Sequence, residues 1–217
     1  MIKGAIFDID GTILDSMYVW EQAGELFLLD LGIVAEPDLS KKLSNMSMLQ
    51  GAEFLKERYS LKLNVRDIIN GINRTIKDFY YYNVQLKKGV ERLLKAMQES
   101  GIKIVAATAS DRRVIEKALG RLKIIDYFDR LFTCNEIGAG KDEPDIFLAA
   151  AGFMDTLPNE TLVFEDALYA IKTAKAAGFK VIGVFDASSF ENTDEIKQIS
   201  DIYIEGLDEL DGINSLF

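Results

Sequence analysis

The sequence has no histidine among its 217 residues, which removes imidazole acid–base catalysis and most zinc chemistry. Its only cysteine is Cys134, so an intramolecular disulfide is impossible and a reducing compartment suits the chain. With three prolines, no internal repeat and no low-complexity tract, it lacks the texture of a disordered linker. No apolar run is long enough to span a bilayer, and Asp8 interrupts the first one before a secretory signal could form. A cytoplasmic protein with no membrane partner is therefore expected. Basic residues are also scarce: 25 Lys and Arg stand against 35 Asp and Glu, a net charge of −10. A general nucleic-acid binder carries a basic face, so that class is excluded. The same charge repels anions at long range, so a phosphate site would need cations supplied locally. What is present is ordinary for a globular protein. The 48% apolar content and the length allow one domain, or a domain carrying a sizeable insert.

From Leu14 to about Tyr82 the periodicity is helical. Trp20, Ala23, Leu26, Phe27 and Leu28 mark one apolar face, and Leu49, Ala52, Phe54 and Leu55 another. Ser40 to Leu43 reads as a short helix, and Val65, Ile68, Ile69, Ile72, Ile76 and Phe79 define a longer amphipathic one. Four helices with short links predict a small bundle. From Lys88 onward helices alternate with apolar strands, expected at Ile102–Ala107, Leu131–Cys134, Thr161–Phe164, Lys180–Phe185 and Asp201–Ile204. With the first strand, which ends in Ile6-Phe7-Asp8-Ile9-Asp10-Gly11-Thr12, this predicts an α/β fold. Its core would be a Rossmann-like parallel sheet with helices on both faces, interrupted by the helical bundle. The expected division is residues 1–14 and 88–217 for the core and 15–87 for the insert.

In such a sheet ligands bind beyond the carboxyl ends of the strands. The polar clusters fall there: Asp8 and Asp10, Thr108, Lys141, and Glu165 with Asp166. Asp8 and Asp10 lie two residues apart and project to one side while the backbone stays extended. Two such anions repel unless a cation lies between them, and Mg²⁺ with oxygen ligands is the natural candidate. Gly11 permits a tight turn and Thr12 can cap the helix that follows. Asp-Gly is equally a hairpin signal. Thr108 and the N–H of Ala109 could hold a phosphate oxygen, or Thr108 could simply cap a helix. Lys141 reads as a local cation or as a solvated surface lysine. Glu165-Asp166 reads as a metal-binding pair or as acids favoured at a helix start.

The DxDGT pattern Asp8-Ile9-Asp10-Gly11-Thr12 after a first apolar strand resembles the haloacid dehalogenase superfamily, in its phosphoglucomutase-like branch. Thr108, Lys141 before Pro144-Asp145, and Glu165-Asp166 are similar to its three remaining motifs, in order along the whole chain. The resemblance implies that Asp8 is a nucleophile and Asp10 a general acid/base. It implies that Thr108, Ala109 and Lys141 bind the phosphoryl group. Mg²⁺ would be held by Asp8, by the carbonyl of Asp10, by Asp166 directly, and by Glu165 directly or through water. The insert would act as a lid facing the organic part of a small phosphorylated metabolite, with Ser110, Arg112 and Trp20 as candidate substrate contacts. Thr12 is typical of the phosphatases in this branch, whereas Trp20 stands where its mutases place a histidine. The stretch Asn45 to Gln50 lacks the arginine with which those mutases grip a second phosphate. A phosphatase acting through an aspartyl-phosphate is the leading expectation, with a sugar phosphomutase as the alternative. A non-catalytic phospho-aspartate receiver is a further alternative, disfavoured by the insert.

Overall fold

The computed structural model describes residues 1–43 and 46–210. In chain order β1 (Gly4–Phe7) and β2 (Leu14–Asp15) precede four helices, α1 (Met17–Asp30), α2 (Leu39–Leu43), α3 (Met48–Arg58) and α4 (Val65–Tyr82). Then come β3 (Gln85–Leu86), α5 (Val90–Glu99), β4 (Lys103–Thr108), α6 (Arg112–Arg121), β5 (Arg130–Thr133), α7 (Cys134–Ile137) and α8 (Asp145–Met154). The chain continues through β6 (Thr161–Glu165), α9 (Leu168–Ala176), β7 (Lys180–Val184), α10 (Thr193–Ile199) and β8 (Ile202–Ile204). Contacts divide it into two compact units, Met1–Asp15 with Val84–Phe217, and Ser16–Asn83. No helix among the described residues is long and apolar enough to cross a membrane.

The first unit is built on a parallel sheet ordered β5-β4-β1-β6-β7-β8. Central strand β1 is buried at every residue, as expected for a short apolar strand with a parallel neighbour on either side. Alternate residues serve the two faces. Ile6, Val105, Val163 and Val181 pack with α8 and α9 through Phe147, Ala150, Ala170 and Ile171. Their neighbours Ala5, Phe7, Ile104 and Phe164 are buried as well, and the Phe7 and Phe164 rings stack at 4.2 Å. All six strands expected from the sequence form. The strand expected to include Cys134 ends one residue earlier, because Thr133 Oγ1 accepts from Glu136 N–H and starts α7 there.

Two expectations fail near the insert. Between Leu14 and Tyr82 only helix was expected, yet Leu14 and Asp15 pair antiparallel with Leu86 and Gln85 as β2 and β3. Two residues carry no period, so this pairing left no trace in the sequence pattern. Thr12 does not cap a helix. It is fully buried, its hydroxyl donates to Asp166 Oδ1 (3.3 Å), and α1 starts only at Met17.

Among its described residues the second unit has helices as its regular elements, joined by turns. Ile68, Ile72, Ile76 and Phe79 form the buried stripe of α4. Gly71 permits the close approach of α1, since a Cβ there would lie 2.3 Å from the Phe27 ring. Ser47 and Gln50 form a reciprocal capping box on α3, and Asn64 caps α4 by accepting from Asp67 N–H. Asn45, which belongs to the stretch noted for lacking arginine, lies outside the described residues.

Candidate active site

Strand order determines which acids meet. β1 lies between β4 and β6, so Asp8, one residue beyond β1, is flanked by the ends of both neighbours. Its N–H continues the ladder onto Phe164 O (2.9 Å). Glu165 closes β6 and Asp166 follows, while Lys141 reaches in from the loop between α7 and α8. Asp8, Glu165, Asp166 and Lys141 are all buried. The Lys141 ammonium donates to Asp8 Oδ1 and to Glu165 Oε1 (2.7 Å). Glu165 Oε2 accepts from the N–H groups of Asp166 (3.0 Å) and Ala167 (3.1 Å), so both of its oxygens are engaged.

Three buried carboxylates with oxygens within 4.8 Å of one another thus face a single ammonium. Burial drives the Asp8 carboxyl from 3.8 up to about 8, with Lys141 opposing and Glu165 and Asp10 adding to the rise. Asp166 is also pushed well up, by burial first and then by Glu165 and Asp8. Burial alone would lower the Lys141 pKa, but the charges of Asp8 and Glu165 outweigh it and hold the ammonium protonated. Asp8 Oδ2 is buried without a protein partner among the described residues. An orphaned carboxylate oxygen beside Asp166 in an all-oxygen donor set fits a hard divalent cation such as Mg²⁺. The turn after Asp10 is shaped to the same spot. Gly11 has φ +87°, and a Cβ there would lie 2.5 Å from Asp166 Oδ2.

Asp10 sits at the rim, half-buried, and its Oδ2 accepts from the Ser110 hydroxyl (2.6 Å). Thr108 is fully buried and accepts from Ser110 N–H (3.0 Å). It does not cap α6, whose N-cap is Asp111 accepting from Arg113 and Val114. Thr108 accepts that single bond through its oxygen and keeps an O–H to donate, and exposed Ala109 follows at the strand end.

The remaining candidates are placed differently. Arg112 is not open to a ligand, because its guanidinium is committed to Glu136, to Glu116 (3.0 Å) and to Leu131 O (2.7 Å). The bonds to Leu131 and Glu136 tie α6 to β5 and α7, and Arg112 holds Glu136 down to about 2. Trp20 belongs to the second unit, where its indole N–H donates to the Tyr80 hydroxyl (3.0 Å). It lines a cavity of about 640 Å³ with Met17, Leu43, Met46, Leu55 and Ile72. The sequence reading missed Thr12 on Asp166, and it missed the pair Lys87–Asp186 (2.8 Å) beside Gly11. Asp186 lies two residues beyond β7 and directly after the apolar stretch Lys180–Phe185, so the strand-end rule that selected the other acids would have found it.

The chain belongs to the haloacid dehalogenase-like hydrolase family, whose profile matches residues 5–184. It is 24% identical over 181 residues to a phosphorylated carbohydrates phosphatase of Thermotoga maritima, covering 83% of this chain and 84% of that one. It is 29% identical to the beta-phosphoglucomutase of Bacillus subtilis, covering 96% and 95%. Among solved structures, a protein of Thermotoga maritima described as a candidate beta-phosphoglucomutase superposes over 100% of both chains. Its TM-score is 0.86 at 22% identity.

Proposed function

We propose that this hydrolase is a Mg²⁺-dependent phosphatase of a small phosphomonoester, a sugar phosphate or similar metabolite, working through an aspartyl-phosphate. One observation carries the reading: a buried nucleophile candidate, Asp8, has one oxygen held by Lys141 and the other left without a protein partner beside Asp166. In this reading Asp8 attacks phosphorus, and the bond from phosphorus to the leaving oxygen breaks as Asp10 protonates that oxygen. Ser110, donating to Asp10 Oδ2, keeps the acid aimed. Water then attacks the acyl phosphate, Asp10 takes back a proton, and inorganic phosphate departs with Asp8 regenerated. The Thr108 hydroxyl, the Ala109 N–H and the Lys141 ammonium hold the phosphoryl oxygens, where a loose transition state concentrates its charge. Mg²⁺ would be held by Asp8, Asp166 and the Asp10 carbonyl, and by Glu165 through water because its own oxygens are taken. When bound it neutralises charge on the phosphoryl oxygens.

The test is phosphate release from a panel of phosphorylated metabolites with and without Mg²⁺. Release is expected only with the metal, and Asp8→Asn should abolish it while the fold is kept. Full activity in that variant would end the assignment of Asp8. Likeness to a beta-phosphoglucomutase over nearly the whole chain supports a second reading, phosphoryl transfer between sugar hydroxyls. It predicts an isomerised sugar phosphate from a bisphosphate. The phosphatase reading predicts free phosphate, in keeping with an Arg112 already engaged by Glu116 and Glu136.

A further inference from the structure

The segment returning from the insert passes through β3 to Lys87, and this residue grips the catalytic turn twice. Its backbone N–H donates to Ile13 O (2.9 Å) and its ammonium to Gly11 O (2.5 Å). The same ammonium donates to Phe185 O (2.6 Å) and to Asp186 Oδ2 (2.8 Å), at the end of β7. Its three hydrogens thus meet three oxygens from separate parts of the chain. The Lys87 side chain is 17% exposed and that of Asp186 7%, so the pair is largely withdrawn from water. Asp186 is fixed in turn, its Oδ1 accepting from the Ser188 N–H (3.0 Å) and hydroxyl (2.7 Å).

The gripped turn carries Asp10. Gly11 N–H bonds to Leu14 O, and the N–H groups of Ile13 and Leu14 both bond to Ile9 O. These local bonds give the turn its shape, but none fixes it to the sheet beyond β1. Thr12 on Asp166 and Ser110 on Asp10 hold side chains of the turn to the ends of β6 and β4, and the Lys87 ammonium adds the attachment of its backbone, at the carbonyl of the residue next to Asp10. Clearance is small, since Gly11 lies against the Asp166 carboxylate with no room for a Cβ.

We propose that Lys87 is a positioning residue for Asp10, clamping the Gly11 carbonyl to the end of β7 through Phe185 and Asp186. The proposal rests on the phosphatase reading, in which Asp10 protonates the leaving group. A general acid works within a reach of about 2.6–3.2 Å, and a misplacement of about 1 Å costs on the order of 100-fold.

Leaving-group dependence separates positioning from mere bracing. p-Nitrophenolate departs with little help from an acid, whereas an alkoxide needs the proton. Lys87→Met should lower kcat/KM on an alkyl phosphate such as glycerol phosphate by at least about thirty-fold, against the 10²–10⁴ that a general acid supplies in full. It should change kcat/KM on p-nitrophenyl phosphate by no more than about threefold, because that ratio ends at leaving-group departure and excludes the later hydrolysis, in which Asp10 acts as base for either substrate. In the metal-free protein, amide exchange at Gly11 and Leu14 should quicken. If the stranded Asp186 carboxylate prevents Lys87→Met from folding, the double variant Lys87→Met/Asp186→Asn removes both charges and carries the same expectation. Equal losses of kcat/KM on both substrates, or unchanged exchange at Gly11 and Leu14, would overturn the role of Lys87 alone. A wild-type protein that hydrolyses neither substrate would overturn the phosphatase reading and the proposal with it.

Discussion

The sheet unit and the helical insert place their charges differently. In the sheet unit Asp8, Glu165, Asp166 and Lys141 are withdrawn from water at strand ends, and Lys87 with Asp186 largely so. In the insert, Glu36 pairs with Lys42 and Arg58, whose side chains are about half open to water, while apolar helix faces supply the packing. Burying unpaired charge costs several kcal/mol, roughly, whereas exposed pairs contribute about 1 kcal/mol or less. In the proposed reading, the charges kept inside at that cost are the ones used for chemistry, and those outside are ordinary surface.

The sharpest way to break this contrast is to remove one lysine from each unit. Lys141→Met leaves three buried carboxylates without their cation. It should cut kcat/KM by about 10²–10³ and destabilise the metal-free protein by about 3–5 kcal/mol in urea unfolding. Lys42→Met, which removes a half-exposed partner and leaves Glu36 bonded to Arg58, should leave both measurements essentially where they were. Comparable losses in the two variants would mean that burial at the strand ends carries no special role.

Metal removal tests the same cluster with a smaller effect. Between pH 3.8 and about 8 the folded chain binds more protons than the unfolded one, because burial raises Asp8 and, in the same direction, Asp166. The stability of the metal-free protein from this source should be greatest near pH 4 and decline as pH climbs through about 8. Millimolar Mg²⁺ should raise the thermal midpoint most at the alkaline end, since it binds the ionised cluster. A midpoint indifferent to Mg²⁺ across that range would sink the assignment of a cation to Asp8 and Asp166.

How much of this was legible in the sequence follows from the same contrast. Asp8, Thr108, Glu165 and Asp166 could be read because each sits at the end of an apolar run, and a parallel sheet brings all such ends to one edge. Lys141 came from its place before Pro144-Asp145, a motif match that its surroundings alone would not have supplied. The bond from Lys87 to Asp186 spans 99 residues and joins two loop positions with no periodic signal. The engagement of Arg112 by Glu136 was equally hidden, since composition cannot say whether an arginine near a site faces it or braces a helix. β2 and β3 escaped because two residues cannot declare a period. The insert was legible as helix from its three- and four-residue spacing, but the shape of the cavity beside Trp20 depends on rotamers that spacing does not encode.

The smallest expected effect lies in the insert and sharpens the comparison from its other side. Hydrogen bonds from Arg58 and then Lys42 hold the Glu36 carboxyl down to about 2, against an ordinary 4.5. The unfolded state therefore takes up the proton first as pH falls. The contribution of Glu36 is fully present above about 4.5 and disappears as pH drops through about 2. Arg58 is more than half exposed, so solvent screens the pair and the contribution is small. Glu36→Gln should lie slightly below wild type in thermal midpoint at pH 7, and the two curves should merge by pH 2. Curves that stay parallel to pH 2 would mean that packing around Glu36, and not its charge, holds the loop to α3, as apolar contacts hold α1 to α4.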